Sequence, residues 1–236
     1  MCDDHDHGAL EVDLNRQVLA DSNEVAEQVR TTLAGREILA VNILSSPGSG
    51  KTTLLEKTFR SEPPWRAVVL EGDIATERDA DRIRATGATA RQILTGGACH
   101  LDARQVAHQM EHLAETPMDV LIVENVGNLV CPATYDLGED FKVVCLSVTE
   151  GDDKPFKYPA IFAGSAVTVI TKADLLPHVA FDLEAVRRQV LTLRPDATIL
   201  LTSASTGQGI DEWIDLLSHH LDAKRLVLAG KATMGA

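Results

Sequence analysis

An apolar run, Ile38-Leu39-Ala40-Val41-Asn42-Ile43-Leu44, passes directly into Ser45-Ser46-Pro47-Gly48-Ser49-Gly50-Lys51-Thr52 and then into the helix-forming Thr53-Leu54-Leu55-Glu56-Lys57. A strand that turns through glycines into a helix aims successive backbone N–H groups, and the positive end of the helix dipole, at one small volume. An anionic triphosphate fits there. Lys51 is placed to reach the β- and γ-phosphates and Thr52 to ligate a bridging magnesium ion, with Gly48, Ser49, Gly50 and Thr53 lining the same cradle. Ser45 departs from G-x-x-x-x-G-K-[ST] at the first glycine, while Gly48 and Gly50 keep permissive backbone near the phosphates.

Further apolar runs follow at Ala67–Leu70, Val120–Val123, Lys142–Val148, Ala166–Ile170 and Thr198–Leu201. Each is continuous rather than alternating, as strands covered on both faces are. Helical segments lie between them, among them Asp102 to Glu115, opened by an Asp102-x-x-Gln105 capping box, Leu183 to Leu193, and a last one starting near Gly209. Strand alternating with helix predicts an α/β chain with a mostly parallel sheet flanked by helices on both faces. Ligands of such sheets bind at the carboxyl ends of the strands. The expected organisation is a flexible tail over residues 1–21, a helix capped by Ser22-Asn23-Glu24, one nucleotide-binding domain over 22–222, and a tail over 223–236.

The two later strands end in Thr171-Lys172-Ala173-Asp174 and Thr202-Ser203-Ala204-Ser205. Asp174 can accept from the N1–H and exocyclic amine of guanine, a pairing adenine does not offer. Lys172 can lay its aliphatic stem along the base, and the backbone N–H beside Ser203, at Ala204, can donate to guanine O6. Thr171 stands where GTPases usually carry an asparagine that ties the base loop to the phosphate loop. Glu71-Gly72-Asp73 and Glu124-Asn125-Val126-Gly127-Asn128 follow two other strands and bring carboxylates to the phosphates. Asp73 and Glu124 are therefore expected to contact magnesium and, with Lys51, to serve hydrolysis, while Gly127 lets its segment follow the γ-phosphate.

Cys99-His100 follows the glycine-rich Thr95-Gly96-Gly97-Ala98, and a thiolate beside an imidazole makes two ligands for nickel or zinc. Cys131 offers a third, and a symmetric dimer would double the set. By spacing alone the pair reads equally as ligands or as a thiol beside a solvated imidazole. Cys145, inside a strand, reads as core. His108 and His112, four apart on a helix, read as a solvated face, and Cys2, His5 and His7 are a weak metal signal.

Taken together, the phosphate loop, Glu71-Gly72-Asp73, Gly97-Ala98-Cys99-His100-Leu101-Asp102, Glu124-Asn125-Val126-Gly127-Asn128-Leu129-Val130-Cys131-Pro132 and Glu150-Gly151-Asp152-Asp153-Lys154-Pro155 resemble the hydrogenase nickel-incorporation GTPases, the HypB family. The resemblance runs from about Ser22 to Leu217. It implies a P-loop NTPase fold of the SIMIBI type and a magnesium- and GTP-dependent homodimer. It also implies that Cys99, His100 and Cys131 are nickel or zinc ligands. A HypA-type zinc-binding chaperone is the implied partner and the large subunit of [NiFe]-hydrogenase the implied client. Lys154 and Lys157 are either contacts to a partner's nucleotide or solvated surface.

Two alternatives are a urease accessory G protein, whose metal motif is Cys-x-His rather than an adjacent pair, and a metal-storage module that holds nucleotide without turnover. An adenine-nucleotide kinase is disfavoured by Asp174. Turnover is expected to be slow, since no arginine finger is evident by pattern. A formal charge of −13 disfavours nucleic acid. No run nears the roughly 18 apolar residues of a membrane span. The acidic first residues are unlike a signal peptide, so a cytoplasmic protein is expected.

Overall fold

The structure is a computed structural model that describes residues 6–73 and 77–234, with side chains described for 20–73 and 77–231. A helix, α1 (Asp6–Gly35), leads into β1 (Leu39–Ser45), α2 (Lys51–Arg60), β2 (Ala67–Asp73), α3 (Arg78–Arg84), β3 (Thr89–Leu94), α4 (Ala103–His112) and β4 (Val120–Glu124). Then follow β5 (Phe141–Ser147), α5 (Lys154–Lys157), α6 (Pro159–Gly164), β6 (Val167–Thr171), α7 (Leu183–Leu193), β7 (Thr198–Leu201) and α8 (Ile210–Met234).

The strands form one sheet in the order β3-β2-β4-β1-β5-β6-β7. Every pairing is parallel. From β1 the chain runs out through β2 to the edge strand β3, returns to place β4 beside β1, then crosses to the other side at β5. The order therefore reverses beside β1, and the crevice at that reversal is where open α/β sheets take ligands.

Alternation along β1 explains how both faces are covered. Leu39, Val41 and Ile43 point into a core with Leu54 and Leu55 of α2, Ile83 of α3 and Trp213 of α8. Ala40 points the other way, toward Val29 and Leu33 of α1 and Val106 and Met110 of α4. A third core joins Val144 and Leu146 of β5 to Phe162, Val186 and Val190 of α6 and α7. The Trp213 indole, fully buried, donates from Nε1 to Thr58 Oγ1 of α2 across 3.1 Å. Trp65 Nε1 likewise reaches Ser218 Oγ at 3.0 Å.

The elements differ from the sequence reading at three places. Helix α1 begins at Asp6 and carries Ser22, 3% exposed, on its buried side, so Ser22 is not a cap. At the other end α8 runs on to Met234. Both stretches lack an apolar stripe but hold good helix formers, which is how helix could pass for tail. Strand β3 was missed because Arg91 and Gln92 interrupt its apolar character at the sheet edge. The capping box at α4 is present, with Gln105 N donating to Asp102 Oδ1 at 2.9 Å and Asp102 N to Gln105 Oε1 at 3.0 Å. Cys145 is 1% exposed, and burial pushes its thiol up to about 12. Among the described residues no helix is long and apolar enough to cross a membrane.

Candidate nucleotide and metal sites

The turn after β1 has the geometry its glycines predict: Gly48 and Gly50 adopt φ of +74° and +94°, and Gly50 precedes the first residue of α2. Lys51 is 8% exposed and donates from Nζ to Ser45 Oγ at 2.8 Å. Ser45, in the place of the pattern's first glycine, thus holds the lysine at the phosphate loop and itself donates to Ser46 O at 2.6 Å.

The loop opens onto a cleft of about 490 Å³ that brings Lys51, Thr52 and Thr53 together with Asp73 and Glu124 from the neighbouring strand ends. Register explains this convergence, since Glu71 of β2 pairs with Glu124 of β4 and Ile43 of β1 pairs with the same Glu124. Glu124, 3% exposed, accepts from Thr52 Oγ1 at 2.8 Å. Glu71, 2% exposed, is a cleft residue that the sequence reading passed over. Burial, then the neighbouring Glu124 charge, pushes Glu71 up to about 11, so it is a neutral acid beside a carboxylate. Glu124 Oε2 is buried without a hydrogen-bond partner among the described residues. An orphaned carboxyl oxygen beside a threonine hydroxyl is the kind of hard donor a magnesium ion takes.

Two more residues missed from sequence stand at the cleft, Asp79 and Arg82 of α3. The Arg82 guanidinium donates to Thr53 Oγ1 at 3.0 Å, Asp79 Oδ1 at 2.9 Å and Glu56 Oε2 at 2.5 Å. An arginine therefore does approach the phosphate loop from within the chain. No motif marks it, because only the packing of α3 on α2 brings it there. At Gly127 a Cβ would lie 2.9 Å from Pro47 Cα, so the glycine lets the segment after β4 press on the phosphate loop.

A second pocket of about 180 Å³ adjoins the first and is lined by Thr171, Lys172, Asp174, Thr202 and Ala204. Thr171 Oγ1 donates to Ser49 O at 2.5 Å, and Lys172, in the left-handed region with φ +58°, donates from Nζ to Gly48 O at 2.8 Å. The end of β6 and the phosphate loop are thus tied without an asparagine. Ser203 Oγ donates to Asp174 Oδ1 at 2.5 Å, and that bond chiefly holds the Asp174 carboxyl below its ordinary value. Asp174 is thus an ionised acceptor on the pocket wall.

A third constellation draws on residues that line neither pocket. Cys99 Sγ, a His100 ring nitrogen and Cys131 Sγ all lie within 4.8 Å of one another, each residue half-buried. Cys99 Sγ is 3.7 Å from His100 Nδ1. The Cys131 thiol beside it raises the Cys99 thiol, and burial lowers His100, so the imidazole is neutral and able to ligate. Two sulfurs and a nitrogen leave one position of a tetrahedron, or of a square plane, for a further ligand. This is the one metal-type cluster among the described residues. His108 and His112 form an edge-on ring pair at 4.8 Å on the outer face of α4. Cys2 and His5, and the His7 side chain, lie outside the described residues.

Asn125 links the two regions. It follows Glu124 directly and its Oδ1 accepts from Leu101 N at 3.1 Å, next to His100, while its Nδ2 donates to Asn42 Oδ1 inside β1 at 3.3 Å. Leu101, fully buried, packs where a Cβ on Gly72 would meet its Cδ1 at 2.7 Å, between Glu71 and Asp73. Lys157 is bound to Asp153 at 2.5 Å, and Lys154 lies 5.4 Å from the Tyr158 ring centre.

Residues 39–201 match the family model described as CobW/HypB/UreG, nucleotide-binding domain. The hydrogenase maturation factor HypB of Escherichia coli strain K12 is 47% identical over 209 residues, covering 88% of this chain and 71% of the relative. Among solved structures, HypB from Helicobacter pylori in complex with nickel superposes with a TM-score of 0.82 at 38% identity, covering 88% of this chain and 97% of that one. HypB from Archaeoglobus fulgidus gives 0.80 at 40% identity, covering 86% and 100%.

Proposed function

This chain belongs to the HypB family of the CobW/HypB/UreG nucleotide-binding domains, and on that premise we propose that it is a GTP-hydrolysing nickel metallochaperone of hydrogenase maturation. The observation that carries the reading is the shared footing of two sites: Glu124 faces the phosphate loop, and Asn125, the next residue, holds the loop of Cys99 and His100.

In this reading Lys51 leaves Ser45 for the β- and γ-phosphates, and Asp174 takes the guanine edge while Lys172 flanks the base. Ser203 keeps Asp174 oriented and Ala204 N–H faces guanine O6. Thr52, Glu124 and Asp73 would hold magnesium, which when bound neutralises charge developing on the transferred phosphoryl group. Glu124 and Asp73 also orient the attacking water. Two protomers close on GTP, bringing two sets of Cys99, His100 and Cys131 to one interface where nickel, or zinc, is held. Hydrolysis reopens the dimer and releases the metal toward the hydrogenase large subunit, with a HypA-type zinc-binding chaperone as partner.

The nickel complex of the Helicobacter pylori relative supports the cargo. A second reading, as an accessory factor of urease, draws on a relative of that organism called a hydrogenase/urease maturation factor, 37% identical over 219 residues. The decisive experiment measures phosphate release, nickel content and oligomeric mass with GTP or a non-hydrolysable analogue, for the native chain, Lys51→Ala and Cys99→Ala. Lys51→Ala should abolish turnover, and Cys99→Ala should remove nickel from the dimer. Nickel retained by Cys99→Ala, or turnover that prefers ATP, would refute the proposal.

A further inference from the structure

We propose that Tyr135 is the positioning residue of the thiolate–imidazole site, a role that rests on the metal-binding reading above. The Tyr135 and His100 rings stack with centroids 3.8 Å apart and planes 25° from parallel. A histidine ring turns about a broad, roughly two-fold torsion, so its nitrogen is aimed at a metal only when something outside the residue fixes its plane. In most sites a hydrogen bond from the second ring nitrogen does this. Here, among the described residues, the polar contact of the ring is Cys99 Sγ, and the flat face of Tyr135 supplies the restraint.

Both halves of the site have anchored backbone, the His100 half through Leu101 N on Asn125 Oδ1 at 3.1 Å. Cys99 and His100 follow Gly96 and Gly97, both at positive φ, with the segment held back by Asn128 Nδ2 on Cys99 O at 3.3 Å. Tyr135 stands on a loop fastened from three elements. Lys142 of β5 donates to Tyr135 O at 2.8 Å and Ala133 O at 3.1 Å. Arg30 of α1 clasps both oxygens of Asp136 at 2.7 Å. Buried Glu139 accepts from Asn42 of β1 at 3.3 Å and from Leu137 N at 2.6 Å. The tyrosine's loop thus presents a fixed ring face, and the His100 ring, whose segment is held through backbone atoms at Cys99 O and Leu101 N, takes its plane from that face.

The test titrates the purified, metal-free full chain with zinc and with nickel against a chromophoric chelator, comparing Tyr135→Ala, Tyr135→Leu and Tyr135→Phe. It also records the nickel–thiolate charge-transfer absorption, with GTP binding as the fold check. Both ring-deleting variants should weaken the two metals by about 10–100-fold, the range for lost support around a ligand, and shift the absorption, while the phenylalanine variant behaves as the native chain. Tyr135→Leu fills the space, so a cavity does not account for its effect. In a His100→Ala background, removing the tyrosine should cost nothing more, as residues acting through one another do. Unchanged affinity in Tyr135→Leu, or an equal further loss in the His100→Ala background, overturns the proposal. Failure of the native chain to bind either metal would instead remove the metal-site reading and this role with it.

Discussion

Thr171 Oγ1 donates to the carbonyl of Ser49 across 2.5 Å, so a hydroxyl at the end of β6 makes the tie that GTPases usually make with a carboxamide. The bond is buried, which makes its loss felt at the pocket. Thr171→Val keeps the shape and removes the donor. At about 1 kcal/mol for such a bond, guanine-nucleotide affinity should fall about five-fold with the fold intact. Fluorescence titration of a labelled GDP checks this, and unchanged affinity would show that Lys172 alone suffices.

Asp174 is held as an ionised acceptor by Ser203. Asp174→Asn replaces a double acceptor with a group that presents one donor and one acceptor. The bond to the exocyclic amine disappears and the one to N1–H loses its charged acceptor; at about 1.5–3 kcal/mol for the lost bond, GTP binding should weaken about 10–100-fold. Xanthine carries a carbonyl where guanine has its amine and should be accepted in its place. Competition calorimetry with GTP and XTP reads the exchange.

Glu71 and Glu124 lie side by side yet should respond oppositely to the same substitution. Glu71 is already neutral at pH 7, so Glu71→Gln preserves its charge state and should change unfolding free energy by less than about 1 kcal/mol. Glu124→Gln removes the carboxyl that faces Thr52 and would be ionised by a bound magnesium ion, and should suppress magnesium-dependent hydrolysis by orders of magnitude. Chemical denaturation and magnesium titrations of phosphate release, run on both variants, separate the pair.

Asp119 joins three elements through Arg66 N at 2.9 Å, Arg66 Nε at 3.0 Å and Arg225 Nη2 at 2.7 Å. The bond from the Arg66 side chain leads the causes that hold its carboxyl far below the usual range. A depressed folded-state pKa stabilises above the unfolded value and ceases to do so as pH falls through the folded one. Asp119→Asn should therefore cost about 1 kcal/mol at pH 7, and the gap to the native chain should narrow from about pH 4 downward. Urea midpoints across that range decide it; a gap that stays constant would refute the electrostatic origin.

The phosphate loop and the parallel sheet could be read from sequence because each is written in contiguous residues: apolar run, turn, helix start. Leu183–Leu193 is recovered at its full extent for the same reason. What sequence hid depends on contacts between distant segments. Glu71 sits in an apolar strand, and its exceptional state arises only once β2 and β4 pair. Arg82 looks like any helix-surface arginine until α3 meets α2. The Cys99, His100 and Cys131 cluster was assembled from motif likeness, whereas the tyrosine against it belongs to a loop with no chemical signature of its own.

The Trp213–Thr58 bond bears on where this domain can yield. It fastens Thr58, towards the carboxyl end of the phosphate-loop helix, to the buried face of α8, so α2 is anchored at the end away from Lys51. A ligand at Lys51 therefore meets a helix with little room to retreat.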